Sequence, residues 1–178
     1  GNLNLDQGVF TNGFLIDRFH NQLLNNFTYV RISLDAGSES IHSELHDAPI
    51  HHFKKIISNL ELLIKKRKNN SPTIGVQYAT HQRNFHDLKN CVKICKDIGV
   101  DYVSVKPVFD RGSVHEKIEK NTLTKEIIDD EVVNIKKFED NFFKIFYREH
   151  QFESENAGYN ILPYDRCYAG YFGVNIYE

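Results

Sequence analysis

Thr73-Ile74-Gly75-Val76-Gln77-Tyr78-Ala79, Phe85 to Ile98, and Tyr102-Val103-Ser104-Val105-Lys106-Pro107 follow one another without a long link. The outer runs are rich in β-branched and aromatic residues, as strands are. Between them Leu88 and Val92 recur at helical spacing, Asn84 stands where a helix cap belongs, and Gly99 stands where a helix closes. The pattern predicts a strand over 73–79, a helix over 85–98 and a strand over 101–108.

The same unit precedes it. Tyr29-Val30-Arg31-Ile32-Ser33-Leu34-Asp35 reads as a strand that stops at Ala36-Gly37-Ser38. After a polar loop, Asp47-Ala48-Pro49 opens a helix, since proline is tolerated in a first turn. Phe53, Ile56, Ile57, Leu60, Leu63 and Ile64 form its apolar stripe. The helix ends in Lys65-Lys66-Arg67-Lys68, cations set against the negative end of the helix dipole, and reads as a solvated terminus.

Further back, Gly8 to Ile16 reads as a short strand entering a Thr11-Asn12-Gly13 turn, followed by a helical segment through Phe19, Leu23 and Leu24. Beyond the central unit, residues 110–122 read as a polar loop. Lys125 to His150 then reads as one long helix, with Ile128, Val132, Ile135, Phe138, Phe142 and Ile145 on one face.

Strands alternating with helices over short links imply right-handed crossovers and a parallel sheet, hence an α/β fold. Periodicity leaves open whether that sheet curls into a barrel or stays an open, doubly wound sheet. In both, the functional edge is the carboxyl end of the strands. That edge singles out Thr11, Asn12, Ser33, Asp35, Gln77, Thr80, Lys106 and Val108.

At 178 residues the chain suffices for one domain with a real core. A net charge of −2 gives no electrostatic case for a nucleic-acid or membrane partner. The apolar stretches are too short to span a bilayer, and no secretory signal opens the chain. Three cysteines are too few for a disulfide framework, so a reducing, cytoplasmic setting is expected. The chain starts at Gly1 without any methionine and closes on a strand-like Asn175-Ile176-Tyr177-Glu178, so truncation at both ends is expected.

Taken in order, the strand ends resemble a known family. Thr11-Asn12-Gly13 resembles the Thr-Asn-Gly element closing the third barrel strand of radical S-adenosylmethionine (radical SAM) enzymes. Arg31-Ile32-Ser33-Leu34-Asp35-Ala36 resembles their fourth strand, and Ile41-His42 the short segment after it. Ile74 to Thr80 and Val103 to Pro107 stand where the fifth and sixth strands belong. Pro163-Tyr164-Asp165-Arg166-Cys167 resembles the entry to an auxiliary-cluster extension of the SPASM or twitch type.

This resemblance implies an incomplete parallel (β/α) barrel over 1–155 and the start of the extension over 156–178. The family's CxxxCxxC motif and the Gly-Gly-Glu strand after it are absent. Both precede the Thr-Asn-Gly element in the family, so the chain resembles a fragment that is inert alone. The implied chemistry is reductive cleavage of S-adenosylmethionine at a 4Fe–4S cluster whose ligands lie outside this chain. The resulting 5′-deoxyadenosyl radical would abstract hydrogen from a small-molecule or peptide substrate. A reductant such as flavodoxin or ferredoxin is implied too, and so is an auxiliary 4Fe–4S cluster with Cys167 as a ligand.

By the same resemblance Ser33 contacts S-adenosylmethionine, with Gln77, Val108, Thr11 and Asn12 as further cofactor-binding candidates. Lys106 is the substrate candidate, either as an anion binder or as a Schiff-base amine. No catalytic residue is assigned. Each side chain also has a plainer reading. Ser33 can bond its own loop, Asp35 can brace the loop or pair with Arg31, and Thr11 and Asn12 can simply build a turn. Lys106 can snorkel to the sheet edge, and His51-His52 reads as surface. Cys91 and Cys95 have Ile98 where a third cluster cysteine belongs, so they read as buried helix residues. Two rival functions stand beside the family reading: an aldolase-like barrel using Lys106, and a degenerate, non-catalytic barrel that acts as a binding module.

Overall fold

The computed structural model describes residues 6–108 and 122–153. In chain order the elements are β1 (Gly8–Thr11), α1 (Ile16–Asn26), β2 (Tyr29–Ser33), α2 (Glu39–His46), α3 (His51–Lys66) and β3 (Thr73–Thr80). After a 3-10 turn at Phe85–Asp87 come α4 (Leu88–Ile98), β4 (Tyr102–Pro107), α5 (Lys125–Lys136), β5 (Lys144–Tyr147) and α6 (Glu149–Glu153). The five strands form one sheet in the order β1-β2-β3-β4-β5, and every neighbouring pair is parallel.

That order decides what periodicity left open. A doubly wound sheet needs a reversal of strand order to place helices on both faces. Here the strands advance in one direction, so right-handed crossovers bring the helices to one side, as in a barrel. Burial agrees. Val30, Ile32, Ile74, Val76, Tyr78, Val103 and Val105 are fully buried under the helices together with Leu60, Leu63, Leu88 and Ile128. Alternate residues of the same strands, among them Arg31, Ser33, Gln77 and Lys106, are only half-buried and line the opposite, concave face. Among the described residues the barrel is not closed: β1 and β5 are its two edges.

The long helix expected over 125–150 does not exist. α5 stops at Lys136, and Phe142, expected on its apolar face, is 85% exposed. Asp140 breaks the run: its Oδ1 accepts the backbone N–H of Phe142 at 2.8 Å and of Phe143 at 2.9 Å. Local side-chain bonds of this kind compete with helix. The freed Lys144–Tyr147 segment pairs with β4 and buries Ile145. The polar loop after β2 likewise holds α2, which ends on Asp47 in the left-handed region. Gly99 closes α4 at φ 92° as expected.

Asn84 precedes the 3-10 turn, but its side chain does not cap the helix. Of the expected loop over 110–122, only residue 122 lies inside the described residues. Among the described residues, no helix is long and apolar enough to cross a membrane.

Candidate functional site

Strand register brings part of the predicted set together. Ser33 stands opposite Gln77, Gln77 opposite Ser104, and Ser104 opposite Phe146, one row across four strands. Lys106 stands opposite Ala79 in the row above, on the same concave face and nearer the strands' carboxyl ends. Among the described residues neither Ser33 nor Gln77 spends its side chain on a hydrogen bond. Both are half-buried and reachable from the concave side.

Thr11 and Asn12 are placed differently. Thr11 Oγ1 accepts the N–H of Gly13 at 3.1 Å, and Asn12 Oδ1 accepts the N–H of Phe14 at 3.0 Å. Gly13 takes φ 79°, and the Asn59 amide donates to the carbonyls of Gly13 at 2.9 Å and Phe14 at 2.8 Å. These bonds build and pin a turn at the rim of β1. Val108 follows β4, and its N–H donates to the Thr80 carbonyl at 3.0 Å, joining the tips of β3 and β4. Cys167 and the segment over 156–178 lie outside the described residues.

A polar network that sequence reasoning missed holds the ends of β2 and β3. Asp35, at φ 52°, accepts the Ala79 N–H on Oδ1 at 2.6 Å, so it braces the loop and makes no pair with Arg31. Burial raises its carboxyl above the usual range, against the opposing pull of that N–H, His46 and Lys106. The Asn84 amide donates to the carbonyls of Asp35 and Ala79, each at 2.9 Å, and its Oδ1 accepts the His81 N–H at 2.7 Å. Tyr78, fully buried, donates its hydroxyl to the Asn84 carbonyl at 2.7 Å. Asp87 Oδ2 accepts from Gly37 N–H at 2.7 Å and Ser38 Oγ at 2.8 Å. A Cβ on Gly37 would run into the backbone of Asp87 and Cys91, so only glycine lets this turn approach α4. The one sequence signal for this network was the polar cluster directly after each strand.

Along and below the row of Ser33 and Gln77, the concave face is aromatic and cationic. The Arg31 guanidinium lies 4.0 Å from the centre of the Phe10 ring. Tyr102 packs edge-on to Phe146 at 5.4 Å, and Arg148 Nε donates to Ser104 Oγ at 3.3 Å. Burial raises the Tyr102 phenol, while Arg31 and Arg148 both draw it down.

The cysteines of α4 do not suit a cluster. Cys91 and Cys95 are fully buried with Sγ atoms 3.9 Å apart, and their mutual hydrogen bond and burial hold the Cys91 thiol well above its ordinary range. Iron–sulfur ligation requires thiolates. Among the described residues, no three His, Cys, Asp or Glu side chains converge as metal ligands. The described residues therefore do not hold an iron–sulfur cluster. They do present free hydroxyl and amide groups of the kind that bind a nucleoside or an amino-acid carboxylate.

No protein-family model matches the chain, and no curated protein matches it either. Solved structures do. TYW1 with a lysine–pyruvate adduct bound superposes with a TM-score of 0.59 at 18% identity, over 75% of this chain and 41% of that one. Streptococcus suis SuiB bound to S-adenosylmethionine gives a TM-score of 0.64 at 11% identity, over 81% of this chain and 33% of that one. SuiB bound to its precursor peptide SuiA gives 0.61 at 14% identity, over 79% and 32%. The chain thus spans well under half the length of either protein. At these identities the likeness is one of fold: TYW1 and SuiB share the open, sequentially ordered parallel α/β sheet of an incomplete barrel.

Proposed function

We propose that the chain is the central part of a radical SAM enzyme, and that its share of the work is to hold cofactor and substrate over the concave face. The observation that carries this reading is the row formed by Ser33, the last residue of β2, and Gln77, in the carboxyl half of β3. Ser33 Oγ would bind a ribose hydroxyl or the methionyl carboxylate, and the Gln77 amide would bind beside it. A structural relative, SuiB, is known bound to S-adenosylmethionine, which supports this ligand. S-adenosylmethionine would supply the radical chemistry of the reaction. The bonds of Asp35, Asn84 and Asp87 keep the two strand tips from drifting, which is how a supporting shell keeps binding groups in place. The cluster's cysteines belong to a part of the protein other than the described residues. The test is anaerobic reconstitution of the intact gene product with iron and sulfide. Reductant-dependent formation of 5′-deoxyadenosine is expected, and its absence would count against the proposal.

Lys106 supports a second reading. It stands on the concave face at the top of β4, and TYW1 is known with a lysine–pyruvate adduct bound. Its amine would add to a substrate carbonyl and expel water to leave an imine. Borohydride with a keto acid should then fix mass on Lys106. No adduct, or an adduct unchanged in Lys106→Met, removes this reading.

A further inference from the structure

The strand positions of the concave face carry one sign of charge, and Asp35, just beyond β2, has its carboxylate engaged by the Ala79 N–H. The described strand positions carry Arg31, Lys106 and Lys144, with Arg148 just beyond β5, and no Asp or Glu. The apolar side chains of the face are rings left open: Phe10 is 52% exposed, Tyr29 36% and Phe146 54%. Rings on the helix side of the same sheet are covered, as Tyr78 is fully.

Two of the cations are held in place. Arg31 is spread over the Phe10 ring, and Arg148 is tied to Ser104. Arg31 and Tyr102 face each other across Gly75 in one row, and Ser104, which Arg148 holds, is the next concave-face residue after Tyr102 on β4. A ring laid across Gly75 roofs the floor there, since a Cβ at that position would collide with Tyr102. Fixed guanidiniums pair with oxyanions in a fork geometry that a mobile lysine does not offer. Exposed rings beside them offer a flat apolar ligand area to stack on.

We infer that the substrate bound on this face is a flat, apolar or aromatic molecule bearing a phosphate or carboxylate, its oxyanion set between Arg31 and Arg148 and its ring against Phe10, Tyr102 and Phe146. The inference deepens the proposed function and rests on its placement of substrate over the concave face. Arg31 lies one row deeper than Ser33 and Gln77, and Arg148 reaches down to Ser104, the neighbour of Gln77 in their row on the β4 side, away from Ser33.

Titration calorimetry of the full chain with phenyl phosphate, benzoate, inorganic phosphate and phenylethylammonium tests it. Phenyl phosphate or benzoate should bind at least tenfold more tightly than inorganic phosphate, and the ammonium should not bind. Which of the two binds better identifies the oxyanion. Arg31→Gln and Arg148→Gln should each weaken the winner at least tenfold and leave S-adenosylmethionine binding unchanged, with Ser33→Ala doing the reverse. Arg148 is exposed, so Arg148→Gln decides the matter should Arg31→Gln not fold. Equal binding of the ammonium, or indifference to both arginine variants, overturns the inference while leaving the cofactor reading standing. Loss of S-adenosylmethionine binding in all three variants would show one shared site and also overturn it. Absence of S-adenosylmethionine binding in the unsubstituted chain speaks instead against the proposed function.

Discussion

The backbone N–H of Ala79 donates to Oδ1 of Asp35 across 2.6 Å, joining the end of β3 to the turn that follows β2. Burial opposes the charge that makes Asp35 a good acceptor, and its carboxyl is raised in the folded protein. A raised carboxyl binds its proton more tightly folded than unfolded. It therefore contributes stability below its unfolded value near 3.8, and that contribution is lost as pH rises through the folded value. Asp35→Asn keeps an acceptor and removes the titration. Urea unfolding from pH 3.5 to 7.5 should show wild type losing ground against Asp35→Asn as pH rises. A pH-independent difference would contradict this.

Asn84 satisfies the Asp35 carbonyl, the Ala79 carbonyl and the His81 N–H from a buried position. Asn84→Ala leaves one buried group, the His81 N–H, and two partly buried carbonyls short of a partner. Each such group costs about 1–3 kcal/mol, with partial relief from water. A loss of roughly 2–4 kcal/mol is expected in denaturant unfolding. A loss below about 1 kcal/mol would mean that these bonds do not lock the strand tips.

His42 is buried on α2, its ring 4.7 Å from His46 and 5.9 Å from Phe53, and its Nδ1 has no partner among the described residues. Burial first, then repulsion from His46 and His52, pushes it down to about 4. A histidine lowered on folding takes up its proton preferentially in the unfolded chain. Stability should therefore fall as pH drops from about 6.5 towards about 4, by on the order of 3 kcal/mol at most. His42→Leu should flatten that limb. An equally steep acid limb in His42→Leu would place the transition elsewhere.

Cys91 and Cys95 face the core, and a raised thiol is a poor nucleophile. Native protein should resist iodoacetamide at both positions, and unfolding should expose them together. Rapid labelling of either one in native protein would contradict their burial.

The sequence made the middle of the sheet legible because β2, β3 and β4 are β-branched runs closed by Gly37 or flanked by Gly99. It hid β5 because Phe138, Phe142 and Ile145 fall at helical spacing with α5. Only the Asp140 turn and the free edge of β4 turn that segment into a strand. α2 was hidden because its buried residue is His42, not an aliphatic one. Ser33 and Gln77 were findable as strand-end polar residues. Asn84 and Asp87 were not, since their partners lie up to 50 positions away and only the fold brings them together. The cationic aromatic face was equally hidden, because its members come one or two at a time from β1, β2, β4 and β5.

The most direct test of the cofactor placement is calorimetric titration of the full chain with S-adenosylmethionine, repeated for Ser33→Ala and Gln77→Ala. Binding should be measurable, and each substitution should weaken it at least tenfold while the thermal midpoint stays unchanged. No binding, or binding that neither substitution affects, would contradict a cofactor site built on Ser33 and Gln77.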